Sequence, residues 1–161
     1  VKGIADKRSD ANYEIVDIAE FKLPFLGEAG AEEAVKKWSA KIESLDGFVF
    51  IVAEYNHSIT GALKNSLDLL RDEWHNKAAG IVSYGSTGGA RAAEHLRGIL
   101  AELQVADVRT HPTLNLFTDF ENMAVFKPAA AHEQTVTQML DQLIAWSGAL
   151  KPLRKSPVGQ A

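Results

Sequence analysis

The chain has 161 residues, 46% of them hydrophobic and 24% charged, with a formal net charge of -4 and no Cys. This length and composition fit one globular domain and lie far from the low hydrophobicity of disordered chains. The mild, scattered charge disfavours a nucleic-acid surface. The absence of Cys excludes disulfides and thiolate metal sites, so any redox chemistry requires a bound cofactor.

The first third of the chain predicts a helix end, a strand and a full helix. Val1, Ile4 and Ala5 have the spacing of the last turns of an amphipathic helix. Residues 13–18 alternate apolar and polar side chains, which predicts a strand. The helix that follows is predicted from an apolar stripe formed by Ala31, Val35, Trp38, Ile42 and Leu45.

The middle of the chain predicts two strands separated by a helix. Residues 47–53 and 78–83 are nearly continuous apolar runs, which are typical of strands buried on both faces of a sheet. Gly61 precedes the intervening helix, and a Gly88-Gly89 pair precedes the helix after the second strand. The apolar stripe of the intervening helix consists of Leu63, Leu67, Leu70 and Trp74.

The last third predicts two helices around a weaker strand over residues 105–116. Residues 151–161 have no periodic stripe and are predicted to form an irregular tail. The two helices are predicted from stripes formed by Ala93, Leu96, Leu100 and Leu103 and by Val136, Met139, Leu140 and Leu143.

Alternating strands and helices predict an α/β fold, a flavodoxin-like doubly wound parallel sheet with helices on both faces. In the strand order 2-1-3-4-5 the first strand is central, and no candidate for it precedes the opening helix end. We therefore expect the natural protein to begin about 25 to 30 residues earlier, with one strand, a loop and half a helix. No apolar run has the roughly 20 residues that span a membrane, and we expect a cytoplasmic protein without membrane partners.

Two polar loops follow the two apolar strands. Residues 53–68 read Ala-Glu-Tyr-Asn-His-Ser-Ile-Thr-Gly-Ala-Leu-Lys-Asn-Ser-Leu-Asp, and residues 83–91 read Ser-Tyr-Gly-Ser-Thr-Gly-Gly-Ala-Arg. Together they resemble the NADPH-dependent FMN reductase family, which includes quinone, azo and chromate reductases. In that family the third strand ends in a Pro-Glu-Tyr-Asn loop before a Leu-Lys-Asn-x-x-Asp helix, and the fourth ends in a Gly-rich loop.

The resemblance implies bound FMN, NADPH or NADH as hydride donor, a small electron acceptor such as a quinone, and a homodimer or homotetramer. It makes residues 1–150 the FMN-binding domain. No acid, base or metal ligand is assigned. The implied flavin-flanking loop is Glu54, Tyr55 and Asn56, and the implied second wall is Ser83, Tyr84, Gly85, Ser86 and Gly89.

The residue types suit such a site independently of the family. A flavin ring needs planar contact on its faces and hydrogen-bond partners along its edge, which Tyr55, Tyr84 and Asn56 offer. Two departures from the family are present. Ala53 stands where the family has proline, which predicts weaker flavin binding. In the family, the loop that binds the FMN phosphate follows the first strand. Because this sequence shows no candidate for that strand, no phosphate ligand is assigned.

Other features favour structural roles. Lys64, Asn65 and Asp68 are predicted to fix a helix and its packing, and the five His show no metal-ligand spacing. Asp119 and Asn122 lie in a polar segment predicted to be a surface loop, with a lid over the flavin as the alternative. Three alternatives to the oxidoreductase remain: a noncatalytic flavin-binding redox sensor, a flavin reductase that releases reduced FMN to a monooxygenase, and an electron-transfer flavodoxin.

Overall fold

The computed structural model describes residues 1–154. Short 3-10 helices cover Ile18–Phe21, Asp72–Trp74 and Lys151–Arg154. The α-helices and strands are α1 (Lys2–Ala5), α2 (Glu32–Glu43), β1 (Gly47–Ala53), α3 (Gly61–Asp68), β2 (Lys77–Gly85), α4 (Ala90–Glu102), β3 (Val105–Asp107), β4 (Thr113–Asn115), β5 (Phe120–Glu121), β6 (Val125–Phe126) and α5 (Ala131–Leu150).

Strand β2 is the centre of a parallel sheet. It pairs along its whole apolar length with β1, from Gly47 opposite Ala78 to Ala53 opposite Tyr84. Its other side pairs with β3 near its start and with β4 near its end. The α/β prediction is confirmed, with helices on both faces of a parallel sheet.

Two separate cores lie against the two faces of this sheet. One core contains Trp38 and Trp74, which pack edge-to-face with centroids 6.1 Å apart, and joins α2, α3 and α4 to the sheet. The other contains Met139 and Leu140 of α5 with Ala5 of α1. Each helix therefore buries its apolar stripe against one face, which is why the stripes were readable in the sequence.

Four predicted elements differ from the structure. Residues 151–154, predicted to begin an irregular tail, form a 3-10 helix, and the rest of that predicted tail lies outside the described residues. Residues 13–18 are not a strand, because no strand of the described chain lies beside them, and the segment leads into the 3-10 helix Ile18–Phe21. The weak strand over residues 105–116 is divided into β3 and β4. Pro112 lies in the gap and has no amide hydrogen to donate to a ladder. Trp74 belongs to a 3-10 helix and not to α3.

Strand β1 was predicted to be buried on both faces, but one face is partly exposed in the described residues. Within residues 1–154 it pairs with β2 alone, and Ile51 is 57% exposed. The further central strand expected from the sequence stays a prediction.

The amino end of β2 is closed by a buried cation. The Lys77 ammonium donates to the carbonyls of Ile42 (2.5 Å) and Glu43 (3.2 Å), at the C-terminal end of α2. Lys77 is 2% exposed, and burial lowers its pKa to about 8. Nearby on the surface, the Asp46 carboxylate pairs with Lys151 (2.6 Å) and with Arg154. The charged Lys77 is therefore buried against a helix C-terminus, the helix end that favours a cation.

Candidate flavin site

The structure brings the two predicted loops together at the carboxyl edge of the sheet. Ala53 and Tyr84 are the last paired residues of β1 and β2, and the Glu54 amide then donates to the Tyr84 carbonyl (2.8 Å). A Cβ atom added at Gly85 would lie 3.0 Å from the Glu54 Cβ. Since parallel strands end at a common edge, the loops after β1 and β2 leave it side by side.

The loop after β1 is a tight two-residue turn. The amides and carbonyls of Tyr55 and Ser58 bond to each other at 3.0 and 3.2 Å, and Asn56 and His57 between them have φ values of 47° and 72°. Two positive φ angles are characteristic of a type I′ turn, in which Asn is favoured. The turn leaves the Tyr55 side chain 73% exposed.

The loop after β2 depends on two glycines in the left-handed region. The Gly88 amide closes a turn onto the Gly85 carbonyl (3.1 Å), with φ values of 73° at Gly88 and 75° at Gly89. A Cβ at Gly89 would lie 2.7 Å from both the Ser83 Cβ and the Tyr84 nitrogen. Glycine is therefore required at position 89 both for its backbone angle and for lack of space.

The Glu54 side chain points away from the loop surface and holds the start of α4. Its carboxylate accepts from the Arg91 amide (3.1 Å) and from the Arg91 Nε (2.6 Å), and only 3% of the side chain is exposed. The hydrogen bond from the Arg91 side chain is the main reason that the pKa of Glu54 lies below its usual range. The N-terminus of α4 thus already carries an anion.

Ser83 lies beneath the second loop. It is fully buried, and its hydroxyl donates to the Gly88 carbonyl (2.6 Å). Its oxygen is then free to accept from the His111 Nε2 at 2.8 Å. Burial lowers the pKa of His111. Neither Ser83 nor Glu54 presents its side chain to the surface, so both support the loops from behind.

The residues that do face solvent fit a planar ligand. Tyr55, Asn56 and Ser86 are exposed, and the half-buried Tyr84 ring packs against Phe120 with centroids 6.3 Å apart. Together with the Gly85 and Gly89 backbone, they provide planar contacts and polar atoms of the kind an isoalloxazine ring requires. This donor set fits the flavin ring, whereas no FMN phosphate ligand is assigned among the described residues.

Two surface depressions have linings that include no residue of the loops between β1 and α3 or between β2 and α4. One, of about 710 Å³, is lined by Pro24, Phe25, Val35 and Arg71 among others. The second, of about 280 Å³, is lined mainly by apolar residues that include Val82, Leu114 and Phe126. Neither is lined by any of the eight predicted site residues, and we call the surface formed by the two loops the ledge.

Sequence reasoning missed a hairpin beside the second loop. The Leu116 amide donates to the Gly85 carbonyl (3.1 Å), and β5 and β6 follow as an antiparallel pair. Asp119 is not a surface residue, because it is 4% exposed and bonds to the Asn115 amide (2.8 Å) and the His132 Nε2 (2.7 Å). Burial alone would raise the pKa of Asp119, but these bonds hold it below its usual value.

The structural prediction for the helix after the first loop agrees with the observed contacts. Lys64 pairs with Asp68 (2.6 Å), and the Asn65 side chain donates to the Pro24 carbonyl (2.8 Å).

Within residues 1–154 no group of three or more His, Asp or Glu is placed to hold a metal ion. None of the described helices is both long and apolar enough to cross a membrane.

The fold is an α/β domain whose two loops leave the sheet at the carboxyl ends of parallel strands, the edge at which ligands of open α/β sheets bind. The sequence model of the NADPH-dependent FMN reductase family matches residues 1–119. The chain therefore belongs to this family.

Among similar proteins, an NAD(P)H-dependent FMN reductase of Schizosaccharomyces pombe is 35% identical over 132 residues, covering 76% of this chain and 66% of the relative. A quinone reductase of Escherichia coli is 36% identical over 95 residues, or 55% of this chain and 50% of that protein. The chain thus spans about half to two thirds of the length of these relatives. The structure of the NAD(P)H:acceptor oxidoreductase FerB of Paracoccus denitrificans aligns with a TM-score of 0.66 at 20% identity, over 94% of this chain and 85% of that one, which supports the fold.

Proposed function

We propose that this chain binds FMN on the ledge between the two loops and forms part of an NAD(P)H-dependent oxidoreductase that reduces quinones or similar small acceptors. The observation that carries the proposal is the junction of the two loops at the carboxyl edge of β1 and β2. Ligands of open α/β sheets bind at such edges. Relatives named as FMN reductases and quinone reductases support the same activity.

FMN would supply the hydride chemistry, accepting a hydride from the nicotinamide and passing it to the acceptor. The chain's own residues orient the ring. Tyr55 and Tyr84 offer planar surface, while Asn56 and Ser86 offer polar atoms to its edge. No side chain of the ledge needs to act as an acid or base, since aligning two rings in turn supplies most of the advantage.

One face that serves the nicotinamide and the acceptor alternately predicts ping-pong kinetics. A flavin reductase that releases reduced FMN to a partner is the second candidate. Ala53 favours this candidate, because it leaves the end of β1, just before the turn, without the proline that would restrict the unfolded chain. The two candidates differ in how firmly FMN is held.

We also propose that the active protein is a homodimer or homotetramer and resides in the cytoplasm. Exposed apolar side chains such as Trp146 (46% exposed) and Phe25 (71% exposed) are compatible with subunit contacts. Sedimentation velocity of the natural protein tests this part. A species at twice or four times the chain mass is expected, and a monomer at all concentrations would contradict it.

The activity is tested with the natural protein and a quinone. NADPH or NADH oxidation should depend on FMN and rise on addition of benzoquinone, with parallel lines in double-reciprocal plots. Flavin that remains after desalting supports the bound-cofactor enzyme, whereas flavin that washes off with sequential kinetics supports the releasing reductase. Negligible turnover with FMN bound would contradict both candidates and indicate a noncatalytic flavin-binding protein.

A further inference from the structure

We propose that Glu54 is a positioning residue that couples the two loops of the ledge and whose charge lowers the reduction potential of the bound flavin. This inference rests on the proposed function, because it concerns FMN on that ledge. It assigns Glu54 a role at the back of the site, without contact to the ring.

Glu54 connects the end of β1 to the neighbouring strand, loop and helix. Its backbone amide bonds to the end of β2 at Tyr84 (2.8 Å), and its carboxylate bonds to the Arg91 amide and side chain in the first turn of α4. The Thr87 hydroxyl in the Gly-rich loop donates to the same carboxylate at 3.4 Å. One residue at the end of β1 therefore contacts three successive parts of the neighbouring strand–loop–helix unit.

The N-terminus of α4 has no side-chain cap from its own N-cap residue. Helices usually satisfy their first amides with a Ser, Thr, Asp or Asn at the N-cap. The N-cap of α4 is Gly89, which has no side chain for this purpose. Glu54, 37 residues earlier in the chain, supplies the acceptor instead. The start of α4 therefore keeps its partner only while the loop after β1 is in place, which couples the two loops.

The two side chains of the Glu54–Arg91 ion pair differ in their exposure to water. The Glu54 side chain is 3% exposed, whereas that of Arg91 is 42% exposed. Water screens the exposed guanidinium more than the buried carboxylate. Glu54 also opposes the positive end of α4. Two-electron reduction adds negative charge to a flavin, so a nearby carboxylate disfavours the reduced form and keeps electrons available for the acceptor.

The experiment compares Glu54→Gln with Asp46→Asn in the full chain. Asp46 is a matched control, because it also pairs with an Arg but lies near the amino end of the sheet and is 49% exposed. The midpoint potential of bound FMN is measured by equilibration with an indicator dye, and the affinity for oxidised FMN by fluorescence. Glu54→Gln should shift the potential upward, which corresponds to an increase of about fivefold in the affinity for reduced relative to oxidised FMN. Asp46→Asn should leave it unchanged.

A second variant protects the test against misfolding. Arg91→Gln removes the opposite charge at a largely exposed side chain and should shift the potential downward. FMN bound with unchanged potential in Glu54→Gln would overturn the inference. If Glu54→Gln binds no FMN, an unchanged potential in Arg91→Gln would overturn it. Failure of the unmodified chain to bind FMN would instead overturn the proposed function.

Discussion

Buried charges of opposite sign lie at the two ends of β2. At the amino end, the Lys77 ammonium donates to the last carbonyls of α2. At the carboxyl end, the Glu54 carboxylate accepts from the Arg91 amide in the first turn of α4. Each charge complements the helix end that it meets, a cation at a C-terminus and an anion at an N-terminus.

The surroundings of these two charges differ. Lys77 also lies over the Phe48 ring, 5.6 Å from its centroid, within the main core. Glu54 lies behind exposed residues with chemically useful side chains, among them Tyr55 and Ser86. A buried charge therefore faces a helix end at both ends of the sheet. Only at the carboxyl end does that charge lie behind exposed aromatic and polar side chains.

The largest effect is expected from Gly89→Ala at the ledge end. The φ of 75° and a Cβ position 2.7 Å from Ser83 should cost about 3 kcal/mol in the free energy of unfolding. Gly98→Ala is the matched control inside α4, where an added Cβ meets nothing within 4 Å, and should stabilise the protein by up to about 1 kcal/mol. Urea unfolding measures both, and equal effects would contradict the packing around Gly89.

The amino end is tested by the pH dependence of stability. The pKa of Lys77 is lowered from 10.5 to about 8, so above pH 8 the unfolded chain binds a proton that the folded chain releases. Stability should therefore rise with pH, by about 2 kcal/mol between about pH 8 and about pH 10, in the wild type relative to Lys77→Met. Urea unfolding at both pH values measures this difference. The same change in unfolding free energy with pH in the wild type and in Lys77→Met would contradict the burial of a charged Lys77.

Tyr55→Ala should separate ligand binding from folding. Because the side chain is 73% exposed, its removal should leave the unfolding free energy nearly unchanged while weakening FMN binding by about tenfold. Phe25→Ala provides the control, since Phe25 is equally exposed (71%) but lines the remote depression. Fluorescence titration with FMN measures both affinities. Equal FMN affinities in the two variants would show that Tyr55 does not contribute to FMN binding.

The smallest effect is expected from Asp46→Asn near the amino end. The Lys151 hydrogen bond is the main cause that holds the pKa of Asp46 below its usual value. Its contribution to stability is therefore present above the usual carboxyl pKa and disappears as the pH falls through the lowered value. Because the pair is exposed, we expect a loss of less than about 1 kcal/mol near neutral pH, abolished by high salt. A larger, salt-independent loss would contradict a surface pair.

Sequence patterns predicted the elements that depend on local periodicity. Gly47–Ala53 was predicted with its exact bounds, because an apolar run ends at the polar Glu54. Gly61 and Gly89 marked the starts of α3 and α4. Residues 13–18 were mispredicted, since alternation of side chains does not reveal whether a neighbouring strand is present to pair with them.

The long-range polar contacts of the site had no readable signal. Glu54 was predicted to flank the flavin, yet its partner Arg91 is 37 residues away and appears in the sequence only as an ordinary helix residue. His111 and Asp119 were missed as buried polar residues for the same reason, because burial of a polar group depends on partners that folding alone assembles.

Binding of FMN at the junction of the two loops is tested most directly by titrating the isotopically labelled chain with FMN and following backbone amide chemical shifts. The largest changes are expected on the amides of residues 54–58 and 84–89, while the amides of Lys77 and its neighbours should remain unchanged. Changes concentrated at the depression around Pro24 and Arg71, or no changes at saturating FMN, would contradict it.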